Sequence, residues 1–235
     1  MILAGLQKTS LIDYPGRVSC VAFLTGCNFT CPFCHNPALA KGTYPQRIPF
    51  DRFLEFLSPR RRLLDGVVLT GGEPTLNPAL ENLCRAIRKL DPDLKIKLDT
   101  NGSRPDVLEQ LITHRLVDYV AMDIKTPLDG YHPFLVKEAI GKKLERSIRL
   151  IMGSVPNYEF RTTCVRPFVD EAKIINIAQT IQGASRYVLQ AFKPSNILQP
   201  GFFKDHQPEI SHLEIDRFKD AAAPLVRECL IRNVG

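Results

Sequence analysis

The sequence of 235 residues contains no apolar run that approaches the roughly 20 residues needed to cross a lipid bilayer. Its amino terminus has no basic segment followed by a long apolar stretch, which an export signal requires. There is also no internal repeat, no low-complexity tract and no linker rich in glycine and serine. These absences predict a cytoplasmic protein with a single domain over residues 1–235, divided into a core at about 16–192 and a carboxy-terminal extension at 193–235.

The composition is that of a folded globular protein, with 44% hydrophobic and 24% charged residues. Lysine and arginine outnumber aspartate and glutamate by 31 to 25, and this excess favours encounters with acidic partners such as an electron-transfer protein or nucleic acid. The densest basic run, Pro59-Arg60-Arg61-Arg62, has no interleaved aromatic residues. The pattern therefore does not favour nucleic-acid binding.

Three of the seven cysteines lie within one short segment, Cys27-Asn28-Phe29-Thr30-Cys31-Pro32-Phe33-Cys34. Thiolates are soft ligands that select iron–sulfur clusters, zinc or copper(I), so this segment predicts a metal centre. A closed zinc site with His35 as fourth ligand is the alternative, although zinc ligands are seldom adjacent in sequence. The other four cysteines are dispersed and are predicted to be small buried hydrophobic residues: Cys20, Cys84, Cys164 and Cys229.

Short apolar stretches alternate with amphipathic ones, and this alternation predicts repeated strand–helix units around a parallel sheet. The fold class we expect is α/β, a partial (β/α)6 barrel of the TIM type. Six strands are predicted at Val18–Leu24, Gly66–Thr70, Lys95–Asp99, Tyr119–Ile124, Glu159–Cys164 and Tyr187–Phe192, with a final one at Glu228–Asn233. Helices are predicted at Phe50–Leu57, Pro78–Leu90, Pro105–His114, Val136–Ile151, Asp170–Gln182 and Ile215–Arg227, and a surface loop at Lys193–Pro208.

Polar residues fall at the carboxyl ends of the predicted strands, where barrels of this kind place their chemistry. The first strand leads into the cysteine segment, and the others contribute Gly71, Gly72, Glu73, Asp99, Asp123, Lys125, Arg161 and Gln190. The glycines can let backbone approach a ligand, and Glu73 or nearby carbonyls can accept a hydrogen bond from an ammonium group. Asp99, Asp123 and Lys125 suit a cation, ribose hydroxyls or a ligand carboxylate, whereas Arg161 serves equally as ligand or as ion-pair partner of a neighbouring strand.

The segment from Cys27 to Cys34, with an aromatic residue at Phe33, resembles the signature of the radical S-adenosylmethionine (radical SAM) superfamily. Gly71-Gly72-Glu73-Pro74 is similar to the GGEP motif of that superfamily. The resemblance implies one [4Fe–4S] cluster on Cys27, Cys31 and Cys34, with SAM bound at the fourth iron. It also implies that the motif backbone binds the SAM amino group, that Phe33 lies beside the adenine, and that the later polar residues contact ribose, carboxylate or a monovalent cation.

Leu6–Gly16 and Cys34-His35-Asn36-Pro37 resemble the activating enzymes of glycyl radical enzymes, in particular those of anaerobic ribonucleotide reductase. This likeness implies reductive cleavage of SAM to a 5′-deoxyadenosyl radical, which takes hydrogen from a glycine of the partner enzyme, with flavodoxin or ferredoxin as electron donor. A small-molecule substrate, such as a deazapurine or cofactor precursor, is the alternative within the superfamily. A zinc-binding protein without catalysis is the alternative outside it.

Overall fold

The computed structural model describes residues 2–132, 139–205 and 207–232. Within these residues the strands are β1 Ile2–Leu3, β2 Gly5–Ser10, β3 Ser19–Leu24, β4 Ile48–Pro49, β5 Gly66–Gly71, β6 Lys95–Thr100, β7 Tyr119–Asp123, β8 Tyr158–Cys164, β9 Tyr187–Ala191 and β10 Cys229–Arg232. The helices are α1 Pro37–Ala40, α2 Phe50–Leu57, α3 Leu80–Leu90, α4 Pro105–Thr113, α5 Gly141–Ser154, α6 Glu171–Thr180 and α7 His212–Ala222.

Eight of the strands form one sheet in the order β10-β9-β8-β7-β6-β5-β3-β2. All neighbours from β3 to β10 are parallel, and only β2 runs antiparallel, beside β3. Because β2 and β10 are the two edges of this sheet, the barrel is partial and stays open between them. This architecture confirms the predicted fold class. β1 and β4 pair separately as a two-stranded sheet.

The six predicted barrel strands are confirmed, each displaced by no more than one residue at either end. They were recognisable because buried parallel strands are short and mainly apolar. The final strand is confirmed at Cys229–Arg232, and Asn233 lies outside the described residues. The sequence did not predict β2, whose central residues are exposed and polar.

The prediction of helix α7 was wrong at both ends, and α5 likewise begins at Gly141 and ends at Ser154, three residues beyond its predicted end. Helix α7 begins at His212 because Ser211 and Glu214 form a capping box, in which each side chain binds the other residue's backbone N–H. It gives way after Ala222 to a 3₁₀ turn that contains Pro224. For α5, residues 136–138 of the predicted start lie outside the described residues.

The two faces of the sheet differ in character. The outer face packs against the helices and contributes residues such as Ile96, Leu98 and Phe160 to the main core. The inner face carries a small apolar cluster around Tyr14 and Tyr119 at the amino ends of the strands, with charged residues above it. All four dispersed cysteines are buried, as predicted. Among the described residues, no helix is both long and apolar enough to span a membrane.

The last strand is attached to the barrel interior by a buried ion pair. Glu159 on β8 is 0% exposed, and it accepts two hydrogen bonds of 3.0 Å from the guanidinium of Arg232 on β10. Tyr119 on β7 donates a third hydrogen bond to the same carboxylate, at 3.1 Å. This carboxylate therefore connects three strands, and its charge depends on Arg232 for compensation.

We expect Arg232→Met to lower the free energy of unfolding by about 2 kcal/mol, because Glu159 would remain buried without its two hydrogen bonds to a cation and would keep only the more distant charges of Arg161 and Lys97. The loss should be smaller than for a fully buried pair, since the Arg232 side chain is 36% exposed. Urea denaturation of the metal-free protein would measure it. Arg149→Met removes a matched arginine from an exposed pair with Glu145 and should cost less than about 0.5 kcal/mol. Equal losses in the two variants would contradict this role of Arg232.

Candidate functional site

A cavity of about 370 Å³ opens at the carboxyl ends of the barrel strands. Eleven of the twelve residues predicted from the sequence line it: Cys27, Cys31, Phe33, Cys34, Gly71, Gly72, Asp99, Asp123, Lys125, Arg161 and Gln190. Glu73 is the exception. Larger cavities of about 750 and 780 Å³ lie elsewhere, and their walls include no cysteine and none of these residues. Convergence of reactive side chains, and not size, therefore marks the site.

The cysteine segment is a folded loop between β3 and α1. The loop begins where Gly26 N–H and Cys27 N–H donate to carbonyl oxygens of α1, Leu39 at 2.8 Å and Ala40 at 3.1 Å. Near its end, Cys34 N–H donates to the Cys31 carbonyl at 3.0 Å. These bonds fix a loop whose three thiols all border the cavity. Three sulfur donors on one short loop fit an iron–sulfur cluster that keeps one iron open.

Two of these thiols are held protonated by their surroundings in the absence of metal. Burial raises the pKa of Cys27 to about 11 and that of Cys31 to about 12. Metal binding requires thiolates and therefore releases these protons. The nearby Lys125 ammonium opposes the effect of burial at both thiols.

The carboxy-terminal extension packs on the outside of the cysteine loop. Leu198 N–H and Gln199 N–H donate to the carbonyls of Cys34 and Pro32, each at 3.0 Å. His35 Nε2 lies 2.7 Å from the Lys193 carbonyl, with the tautomer assigned by this contact. The stretch predicted as a surface loop thus supports the site. Because Nε2 of His35 already contacts the Lys193 carbonyl, this nitrogen is not available as the fourth ligand of a zinc site.

Gly71 and Gly72 bring the end of β5 against the cysteine loop. Gly71 has a φ of +128°, and a Cβ there would lie 2.1 Å from the Leu24 carbonyl oxygen. A Cβ on Gly72 would lie 2.1 Å from the carbonyl oxygen of Gly26. Gly72 N–H donates to the Leu24 carbonyl oxygen at 2.9 Å, and Glu73 N–H donates to the Gly26 carbonyl oxygen at 2.8 Å. Glycine is required here because any side chain would separate the motif from the loop.

The Glu73 carboxylate is buried behind the cavity wall and fully engaged by the protein. It accepts hydrogen bonds from Asn101 N–H at 2.6 Å, from Thr100 Oγ1 at 2.8 Å, and from the backbone and hydroxyl of Thr75. Burial raises the pKa of Glu73, and these four donors oppose that effect. The carboxylate joins the ends of β5 and β6. A direct contact between Glu73 and a cofactor stays a prediction.

Asp99, Asp123, Arg161 and Lys125 line the inner wall of the cavity, and a third cation, Lys97, lies buried behind Asp99. Arg161 lies between Asp123, whose Oδ1 is 2.7 Å from Nε, and Asp99, whose Oδ2 is 3.4 Å from Nη1. Lys125 Nζ is 3.3 Å from the second oxygen of Asp123, and Lys97 pairs with the second oxygen of Asp99. Burial alone would raise the pKa of both carboxyls, but Arg161 lowers both values, together with Lys97 at Asp99 and with Lys125 at Asp123, where the pKa falls to about 2. The site is thus charged at neutral pH.

Phe33 lies at the edge of this charged wall and belongs to an aromatic group. Its ring is 3% exposed, with the ring centroid of Phe168 at 5.2 Å and that of Phe192 at 6.5 Å. The Lys125 ammonium lies 6.0 Å from its centroid. Phe33 therefore presents an apolar surface between the cysteine loop and the cations.

Asn101 and Thr163, which are polar residues at the predicted strand ends, also belong to the site, whereas Asp13 and Lys97 were not recognised from the sequence. Asn101 donates to Asn28 Oδ1 at 3.1 Å and lies 3.9 Å from the Cys27 sulfur. Lys97 was predicted only as part of a strand described as apolar. Its spacing of two residues from Asp99 could have identified it, because alternate residues of a strand lie on the same face. Asp13 and Thr163 also line the cavity.

Comparison with known proteins identifies the family. The family described as "Radical SAM superfamily" matches residues 21–181. A candidate glycyl-radical enzyme activating enzyme of Methanocaldococcus jannaschii is 34% identical over 221 residues, which cover 90% of this chain and 88% of that protein. A pyruvate formate-lyase-activating enzyme of Staphylococcus aureus is 30% identical over 135 residues, which cover 52% of each chain.

Solved structures support the same fold. Streptococcus suis SuiB bound to S-adenosylmethionine has a TM-score of 0.66 and 14% sequence identity, with 92% of this chain covered. This chain spans only about half of that longer protein, 52% of its length. The match to the superfamily extends over more than half of the chain and contains the whole cysteine loop. The chain therefore belongs to the radical SAM superfamily of enzymes, as its sequence predicts.

Proposed function

We propose that this chain activates a glycyl radical enzyme, and that its partner is anaerobic ribonucleoside-triphosphate reductase. The observation that carries the first part is the likeness to the archaeal relative, which extends over nearly the full length of both chains. The second part is supported by the segment Leu6–Gly16, which resembles activators of that reductase. In the structure this segment forms β2 and the loop that brings Asp13 into the cavity wall.

Cys27, Cys31 and Cys34 would hold a [4Fe–4S] cluster, and SAM would occupy the remaining iron position through its amino and carboxylate groups. When bound, these groups would supply the chemistry, namely one-electron reductive cleavage of SAM to methionine and a 5′-deoxyadenosyl radical that would take a hydrogen atom from the partner's glycine, with flavodoxin or ferredoxin as the electron donor. The protein contributes orientation and exclusion of water. No side chain is needed as an acid or base.

The charged wall suits the polar groups of SAM. Among the described residues Lys125 forms an ion pair with Asp123 alone, at 3.3 Å, and its charge also interacts with Cys31 and Cys34, so it is placed to pair with the carboxylate of SAM. Asp99 and Asp123 remain ionised and can accept hydrogen bonds from ribose hydroxyls. Phe33 supplies an apolar surface for the adenine. Gln190 lines the same cavity from β9, next to the edge strand β10 of the open barrel.

Replacement of one cluster ligand tests the metal assignment. Cys31→Ala should reduce the iron and sulfide content of anaerobically reconstituted protein by roughly tenfold or more, since even outer-shell changes at metal sites cost 10–100-fold in affinity. Formation of 5′-deoxyadenosine should be lost while the circular dichroism spectrum is retained. Cys229→Ala, which removes a buried cysteine far from the loop, is the matched control and should keep both. Retained reductive cleavage in Cys31→Ala would falsify the cluster assignment.

Electron paramagnetic resonance tests the proposed partner. The reduced enzyme with SAM should generate a glycine-centred radical on anaerobic ribonucleotide reductase, and no such signal on a reductase whose radical glycine is replaced by alanine. Pyruvate formate-lyase serves as the comparison partner. A signal on that enzyme alone would overturn the partner assignment. Absence of a radical on both proteins, with SAM consumed alongside a small molecule, would overturn the activating function itself.

A further inference from the structure

We propose that Lys97 is a built-in cation at the SAM site, which takes the place of a monovalent metal ion beside Asp99. The chain would then bind SAM independently of K⁺ or Na⁺. This inference rests on the SAM-binding part of the proposed function and concerns how that site is neutralised.

Lys97 is buried in a way that demands a charged partner. Its side chain is 2% exposed, and lysine is almost never fully buried unless it is paired. Its ammonium forms an ion pair with Oδ1 of Asp99, two residues along β6 on the same face. The ring of Tyr119 lies on another side, with its centroid 5.9 Å from Nζ. The ammonium is therefore directed into the cavity wall and not towards solvent.

The carboxylate oxygens that a metal ion would use already face nitrogen cations. Lys97 and Arg161 each contact one oxygen of Asp99, while Arg161 and Lys125 each contact one oxygen of Asp123. Three cations thus contact these two carboxylates, and the neighbouring buried carboxylate of Glu159, which also attracts Arg161 and Lys97, is paired with Arg232. Hard metal cations require several oxygen ligands, and an additional positive charge in this low-dielectric wall would be repelled by all three side chains. The residues present do not fit a monovalent cation.

Lys97 can perform the task that such an ion would have. By pairing with Oδ1 it fixes the orientation of Asp99 and helps to keep the carboxyl ionised, with Arg161 holding the other oxygen. Each oxygen retains a lone pair for a ribose hydroxyl. Lys97 is accordingly a positioning residue that acts through Asp99.

SAM binding in different salts tests this role without any turnover. The holoenzyme would be dialysed against labelled SAM in KCl and in choline chloride at equal ionic strength. Wild-type protein should show the same affinity in both. Lys97→Met, which keeps the length of the side chain but removes its charge, should bind roughly tenfold more weakly in choline chloride, the loss expected for one hydrogen bond to a charged group. KCl should restore much of that affinity, because the vacated position can then accept an ion.

Matched variants separate the outcomes. Lys95→Met removes a lysine two residues earlier on β6, whose ammonium is 3.7 Å from Asp118 at the opposite end of the barrel, and it should change neither affinity. Lys97→Arg keeps the charge and should stay independent of K⁺. Wild-type affinity that falls when K⁺ is replaced by choline would overturn the proposal even if Lys97→Met failed to fold. Absence of SAM binding by wild-type protein in both salts would instead count against the proposed function.

Discussion

The ion pairs of Arg161 with Asp99 and Asp123 are the constraint on which the rest of the site depends. They join β8 to β6 and β7 inside the barrel, where unpaired charges would be strongly unfavourable. Because uncharged residues of similar volume are often as stable as a buried ion pair or more stable, folding alone does not require this polar wall, in keeping with the proposed role in ligand binding. The same bonds fix the height and direction of both carboxylates before any ligand arrives, which lowers the entropic cost of binding.

A second set of contacts sets the distance between this wall and the cysteine loop. Gly71 and Gly72 allow β5 to lie against the loop backbone, and Glu73 ties the end of β5 to that of β6. The GGEP motif therefore holds the cysteine loop and the charged wall at a fixed distance from each other. This structural role is separate from the direct contact with SAM that we propose. Support from the carboxy-terminal extension on the other side of the loop completes the frame.

The parts of this structure that follow a repeating pattern could be predicted from the sequence, and the parts that depend on distant contacts could not. The barrel strands and the positions of Asp99 and Asp123 at their ends follow from apolar runs that terminate in polar residues. The strand β2 was missed because only its ends are buried, and its pairing depends on β3. The sequence shows that Glu73 belongs to the GGEP motif. It could not show that the carboxylate is buried and bound by four donors, because these donors come from the ends of two different strands. The packing of Leu198 and Gln199 on the cysteine loop joins residues more than 160 positions apart, from Cys34 to Leu198.

The balance of charge connects the two halves of the site. A cluster bound through three thiolates places negative charge at the loop, and each electron that it accepts adds more. The opposite wall places the cations Arg161 and Lys125 beside Asp99 and Asp123, with Lys97 buried behind Asp99. Lys125, whose charge also interacts with Cys31 and Cys34, lies where it would stabilise a reduced cluster and attract the carboxylate of SAM. On the proposed role of Lys97, the protein would supply positive charge through a buried side chain of fixed geometry and would not recruit an ion from solution, so that the reactant itself would complete only the open iron position.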